Sequence, residues 1–401
     1  MKLCVPCRFE FELLEKLDDI NKKYDSIHEV FGAIPESVVG SGRGAAGIRF
    51  FGDIDMNHVR EFTARAHSKG IEVNYLLNAQ CLGNTEFTDE GRIEIMKYLE
   101  AIYSANVDSV TVSTPILADI IKRSFSGLKV VISVMAEANN SHRVALWEKM
   151  GVDRINLDYD SNRDFRRLKS VTQTAKVELE LLVNDGCLFY CPFQKYHRVL
   201  SSHGSKKGAT RRDYIDYCLL KCTIERVDNY AEILRGPWIR PEDTKFYEDN
   251  FGIHLFKLSG RYRPIEWIAN AAEAYSKRSY DGNFIDLLSL TFPTLAAHRV
   301  IVPIVKDDRT VAAPPEVYID NKDLASFFEF IVKKGGCGNA SQCELCRYCD
   351  TVAPELVKVG NHEDMKEYSY TVKSTLDRLL KSPVEVNAPI RPDRKLQMIE
   401  G

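Results

Sequence analysis

The chain has no apolar run approaching the roughly 18 residues a membrane-crossing helix needs, so no such helix is expected. Its first residues, MKLCVPCRFEFELLEKLDD, turn acidic early and contain no apolar signal core, which predicts a cytoplasmic protein. It also lacks an excess of positive charge. Lys and Arg number 54 against 57 Asp and Glu, a formal charge of −3. Proteins that live by general attraction to nucleic acid are usually basic, so that class starts at a disadvantage. No G-x-S-x-G elbow and no H-E-x-x-H helix occur, which removes the commonest hydrolase signatures. The first strand-like stretch runs into CVPCRFE without the glycine-rich turn of dinucleotide-binding open sheets. There is no internal repeat and no low-complexity stretch.

What is present is the composition of a packed enzyme: 401 residues, 44% hydrophobic and 28% charged. Short β-branched stretches alternate with amphipathic ones. Strands are expected at 2–6, 26–34, 71–77, 108–113, 128–134, 153–158, 176–183 and 252–260. Helices fit 10–22, 55–67, 88–105, 115–124, 140–150 and 161–172, with Asp55 as an N-cap and Gly70 just past a helix end. Eight strands with helical crossovers predict an α/β fold, a (β/α)8 TIM-like barrel with a small, mostly helical C-terminal appendage. The barrel is expected over 1–298, with an insertion at 184–251 between strands seven and eight. Helices at 264–276 and 281–298 would close it, and an extension at 299–401 would follow. Connections as long as 184–251 are usually functional, and this one leaves the strand ends where barrels build active sites.

Eight of the eleven cysteines fall into two groups of four. In a reducing compartment such groups point to metal or redox chemistry rather than disulfides. The second group lies in GGCGNASQCELCRYC: Cys337, Cys343, Cys346 and Cys349. Structural zinc usually pairs two C-x2-C knuckles across a spacer of about twelve residues or more. Three cysteines at three-residue intervals resemble instead the run that wraps one face of a 4Fe–4S cubane, with Cys337 as fourth ligand. The first group, Cys187, Cys191, Cys218 and Cys222, reads C-x3-C-x26-C-x3-C. A C-x3-C pair on a helix puts both sulfurs on one face, and spacing alone leaves zinc and iron–sulfur even there. Cys4, Cys7 and Cys81 remain; a third metal site would need a fourth ligand, and buried thiols are the default.

Beyond these patterns, the sequence resembles the U-32 ("collagenase-like") peptidase family over most of residues 1–280. The stretches that carry the resemblance are GSGR, SVMAEANNSHR, ELLVNDGCLFYCPFQKYH with YCLLKC, and WIRPEDTKFYEDNFGIHLFKLSGRYRPIEW. The PED…FKLSGR block is the most specific. The resemblance implies an enzyme of the kind found among its iron–sulfur members, which are oxygen-independent hydroxylases. It implies a 4Fe–4S cluster on Cys187, Cys191, Cys218 and Cys222, with an organic acid such as prephenate supplying the oxygen. It departs from the family in the shorter first cysteine spacing, and in Ser259, where many members have Glu. The four-cysteine tail is outside the core pattern and suggests a second cluster, with zinc the alternative at either site. The expected partners are a small-molecule or peptide substrate, and an electron-donor protein or partner subunit. A U-32-type peptidase and a non-catalytic iron–sulfur subunit are the other functions considered.

Arg43 and Arg261 each sit beside glycine at a strand end. Either could grip a carboxylate through its planar fork, or form a structural salt bridge. Asn78, Glu137 and Asn139 follow strands three and five and could line the pocket, although capping suits Asn139 better. His197 and His203, in the cysteine loop, could donate protons or ligate metal, or be ordinary surface histidines. The basic stretch SKKGATRRD (205–213) could meet an anion or be a solvated loop.

Overall fold

The computed structural model describes residues 1–42, 54–209, 216–290, 316–338 and 343–381. Eight parallel strands, β1 (Lys2–Pro6), β2 (Ile27–Gly32), β3 (Glu72–Leu77), β4 (Ser109–Val112), β5 (Lys129–Ile132), β6 (Arg154–Asn156), β7 (Glu178–Leu182) and β8 (Leu255–Lys257), close into a barrel in sequence order. β8 pairs back onto β1, with Leu3 opposite Phe256. The strands are apolar because helices cover them outside and side chains fill them inside. Helices α1 (Phe11–Tyr24), α2 (Met56–His67), α3 (Asp89–Ser104), α4 (Pro115–Ser124), α5 (Ser141–Lys149) and α6 (Phe165–Thr172) separate the first seven. Asp55 caps α2 by accepting from the His58 amide at 2.9 Å, and Gly70 takes a φ of +72°, as predicted for a helix start and stop.

The connection from β7 to β8 holds α7 (Gln194–Gly204), α8 (Tyr217–Asp228), α9 (Ala231–Arg235) and α10 (Thr244–Phe251). α11 (Ile265–Ser276) follows β8. The helix predicted over 281–298 does not begin as one. Residues 284–287 make a single 3-10 turn, because the Phe284 amide bonds to the Ile319 carbonyl at 2.8 Å and its ring packs on Trp238. A tertiary bridge outcompetes the local helix; residues 291–298 lie outside the described range.

The tail holds a two-stranded antiparallel pair, β9 (Val317–Tyr318) and β10 (Lys358–Val359), and helices α12 (Leu324–Lys334), α13 (Cys343–Cys346), α14 (Tyr348–Leu356) and α15 (His362–Leu380). Ile319, Leu324, Phe327 and Ile331 join the barrel's own hydrophobic core. Tyr368 and Val372 of α15 form a second small core with Leu220 and Val227 of α8.

The barrel interior is not wholly apolar. Arg154 on β6 pairs with Glu29 on β2 and stands 3.8 Å from Glu180 on β7. Asn156 donates to Glu180 at 2.9 Å, and Thr111 donates to Asn74 at 2.8 Å. These groups are buried, so the charges stay only because each finds an opposite partner.

Candidate active site at the barrel mouth

Above this plug, at the carboxyl ends of the strands, opens a cavity of about 460 Å³. Its floor includes Thr111, Asn156 and Lys257; its walls include Asn78, Ser133, Tyr159, Ser259 and Arg261. All four loop cysteines, Cys187, Cys191, Cys218 and Cys222, line it. Cys218 and Cys222 sit one turn apart on α8, whose first turn is capped by Asp216 accepting from the Leu219 amide at 3.0 Å. Cys187 and Cys191 are not on a helix, contrary to the expectation for a C-x3-C pair. They flank a turn in which Tyr190 takes a left-handed φ of +50° and its amide donates to buried Asp160 at 3.0 Å. That hydrogen bond holds the turn against continuation of a helix.

The thiols sit close enough to feel one another. Burial first, then Asp216, Cys191 and Cys222, push the Cys218 thiol up to about 12. Burial also raises Cys187, reinforced by Asp185, and raises Cys191. These three thiols stay protonated when the site is empty and give up their protons to a bound metal. They are poor nucleophiles, because a catalytic thiol needs a depressed pKa. His197, the nearest candidate base, is spent on Asp216 at 2.9 Å; burial opposes its charge, but that carboxylate raises its pKa.

Around the sulfurs the lining is cationic. Arg198, Arg226, Lys257 and Arg261 face the cavity, against one lining carboxylate among the described residues, Asp185. Arg226 donates to the Cys222 sulfur at 3.3 Å and to the Gly186 carbonyl. Buried Lys257 has no hydrogen-bond acceptor on its Nζ among the described residues, standing 3.5 Å from Glu180 and 4.0 Å above the Phe31 ring. Arg198 is likewise without an acceptor there on either terminal nitrogen, 3.6 Å from Glu137. Burial pulls Arg261 down to about 10, the neighbouring groups being Cys7 and Tyr75 rather than a carboxylate. Of the two readings held open for Arg261, a carboxylate grip or a structural salt bridge, the second finds no carboxylate partner among the described residues.

Of the other candidates, Asn78 lines the cavity, accepting from the Gly42 amide at 3.0 Å and donating to Ser133 at 3.2 Å. Glu137 does not line it; it gathers Lys195, Arg198 and Arg143 at 3.2, 3.6 and 3.9 Å. The cap of α5 is Asn140, accepting from Arg143 at 3.0 Å, and not Asn139. His203 is exposed on α7, Arg43 lies outside the described residues, and so does 210–213 of the basic stretch. Cys4 joins Glu29 and Glu180 inside the barrel, separate from Cys7 and Cys81. Lys257, Arg198, Arg226 and Tyr159 were not singled out from sequence. A lone lysine ending the apolar strand IHLFK was the signal available for the first, and the i, i+4 spacing from Cys222 for Arg226.

The second tetrad, Cys337, Cys343, Cys346 and Cys349, lines a separate small cavity on the tail, with Arg235, Lys334 and Tyr348. Burial raises Cys337 and Cys343 and pushes Cys349 up to about 12. Burial also opposes the Cys346 thiolate, but a hydrogen bond from Lys334 outweighs it and lowers that thiol.

Among known proteins, the model of peptidase family U32 matches residues 22–282. An uncharacterized protease of Methanocaldococcus jannaschii is 30% identical over 349 residues, 86% of this chain and 94% of that one. The tRNA hydroxylation protein P1 of Bacillus subtilis is 22% identical over 230 residues, 54% of this chain and 53% of that one. A solved U32 peptidase shares 19% identity and a TM-score of 0.47, covering 65% of this chain and 93% of its own. With a family match across most of the barrel and a relative aligned over nearly its whole length, the chain belongs to peptidase family U32.

Proposed function

We propose that the barrel mouth holds a 4Fe–4S cluster on Cys187, Cys191, Cys218 and Cys222. There the protein carries out an oxygen-independent hydroxylation, or a related redox modification, of an organic or peptide substrate. The observation that carries this reading is the convergence of four cysteines with Arg198, Arg226, Lys257 and Arg261 on one cavity at the strand ends. Four cysteine thiols on one cavity are the ligand set that a 4Fe–4S cluster takes, with a four-sulfur zinc site the alternative.

Bound there, the cluster would supply one-electron chemistry beside the substrate. The chain's own groups do the rest. Arg226 donates to a ligand sulfur, which stabilises a thiolate. Arg261, with the Lys257 ammonium below it, can hold a carboxylate, as an organic-acid oxygen donor requires. The Bacillus relative's name supports hydroxylation as the reaction class. Peptidase activity is supported by the name of the Methanocaldococcus relative, but the raised thiols and the engaged His197 offer it no activated nucleophile. Cys218→Ala is the test: it should remove iron from the mouth and abolish turnover while the circular dichroism stays native. A variant that turns over normally places the site elsewhere.

A further inference from the structure

We propose that Cys337, Cys343, Cys346 and Cys349 hold a second iron–sulfur centre, and that this centre braces the helix carrying Cys218 and Cys222. The site is built rather than incidental. α12 ends in Gly335 and Gly336, with φ of +80° and +95°. A side chain on Gly336 would meet the Arg163 carbonyl at 2.7 Å, and the Cys337 amide donates to that same carbonyl. Cys337 is thereby fixed to the barrel beside the start of α6. α13 is one helical turn that carries Cys343 and Cys346. Arg347 then takes a left-handed φ of +47°, and α14 restarts with Cys349 in its first turn. Three cysteines at three-residue spacing on a continuous helix would spiral apart. The break lets all four line one cavity.

The surroundings suit an anionic centre. Arg163, Arg235 and Lys334 all act on the tetrad's thiols, opposed at Cys337 by Asp164. Arg163 is itself buried and held over Trp238 at 4.3 Å, so its charge cannot move away.

The brace follows from what the tetrad touches. Asp350, next to Cys349, accepts from Arg235 and, at 3.2 Å, from Asn229. Asn229 is the C-cap of α8, and its side chain accepts from the Ala231 amide at 3.0 Å at the start of α9. Further along the tail, α15 lies against α8 through fully buried Tyr368, and Lys373 reaches Asp228 at 2.6 Å. Ordering α13 and α14 around a metal centre therefore fixes the far end of the helix whose near end carries Cys218 and Cys222.

The test uses the full chain purified without oxygen. C343S/C346S should lose about four iron and four sulfide per chain. Chelator should then strip the mouth's remaining iron several-fold faster than in the parent. D350A should keep the parent's iron count and show the same faster release, because it cuts the brace and spares the site. C218S/C222S should retain about four iron whether or not the mouth holds any, which separates this proposal from the reading of the mouth. It also serves if C343S/C346S fails to fold. Iron unchanged in C343S/C346S, zinc lost in place of iron, or no iron left in C218S/C222S would overturn the second centre. Unchanged release from D350A would overturn the brace.

Discussion

Arg261 and Arg154 show how differently one residue type is used at two places in one barrel. Arg154 is walled in with Glu29 and Glu180, and its charge is answered on the spot. Removing one partner strands a buried cation. Glu29→Ala should cost about 3–5 kcal/mol in a denaturant titration. A loss under 1 kcal/mol would mean the plug contributes little to barrel stability. Arg261 is desolvated with no carboxylate beside it among the described residues, a condition that a bound anion relieves. Arg261→Lys keeps the charge and loses the two-pronged geometry, so affinity for a dicarboxylate ligand should fall by about 1–3 kcal/mol. Isothermal titration would measure it, with the cluster spectrum unchanged. A variant that loses stability but keeps its affinity would make Arg261 structural.

Among the elements, the cysteine-bearing turns are set by backbone conformations that composition does not display. Gly336 is the sharpest case, with a left-handed φ and a carbonyl where a Cβ would sit. Gly336→Ala should destabilise the tail by more than 1 kcal/mol and lower iron occupancy there; thermal melting with an iron assay checks both. Native melting and full occupancy would show that the close approach at Arg163 is not needed. The same kind of detail explains why the first loop pair was expected on a helix. GCLFYC has helix-like spacing, but the Cys187 amide bonds to Asp185, the Tyr190 amide bonds to Asp160, and Pro192 follows directly. The strands, by contrast, were legible. Runs such as VNYLL (73–77) and VVI (130–132) are buried on both sides, so their place shows in the sequence directly. Lys257 stayed hidden because a single charged residue ending an apolar strand carries no spacing to identify it, and Arg198 because it is one of several basic residues in QKYHRVLSSHG.

For the molecule as a whole, closure joins the first strand to the last, and a knot of charges secures the end opposite the mouth. Glu248 of α10 takes Arg278, beyond α11, at 2.6 Å and the amino group of Met1 at 3.0 Å. Burial works against the carboxylate, but Arg278 and the amino group lower its pKa below the ordinary 4.5. A depressed carboxylate contributes stability that is present above 4.5 and is lost as pH falls through its folded value. Glu248→Gln should therefore cost about 1 kcal/mol at neutral pH, with the gap to wild type closing in acid. A gap that persists unchanged at pH 3 would contradict that assignment.

The barrel, its long insertion and its tail meet in the claim that thiolates at the mouth bind iron and sulfide. The direct measurement is an iron and acid-labile sulfide count on anaerobically purified protein, with electron paramagnetic resonance spectra before and after reduction, in wild type and Cys218→Ala. The account predicts iron and sulfide in equal amounts, a reduced-cluster signal in wild type, and loss of about four iron with one component of that signal in the variant. Zinc without sulfide, or a variant with the wild type's iron and spectrum, would contradict it.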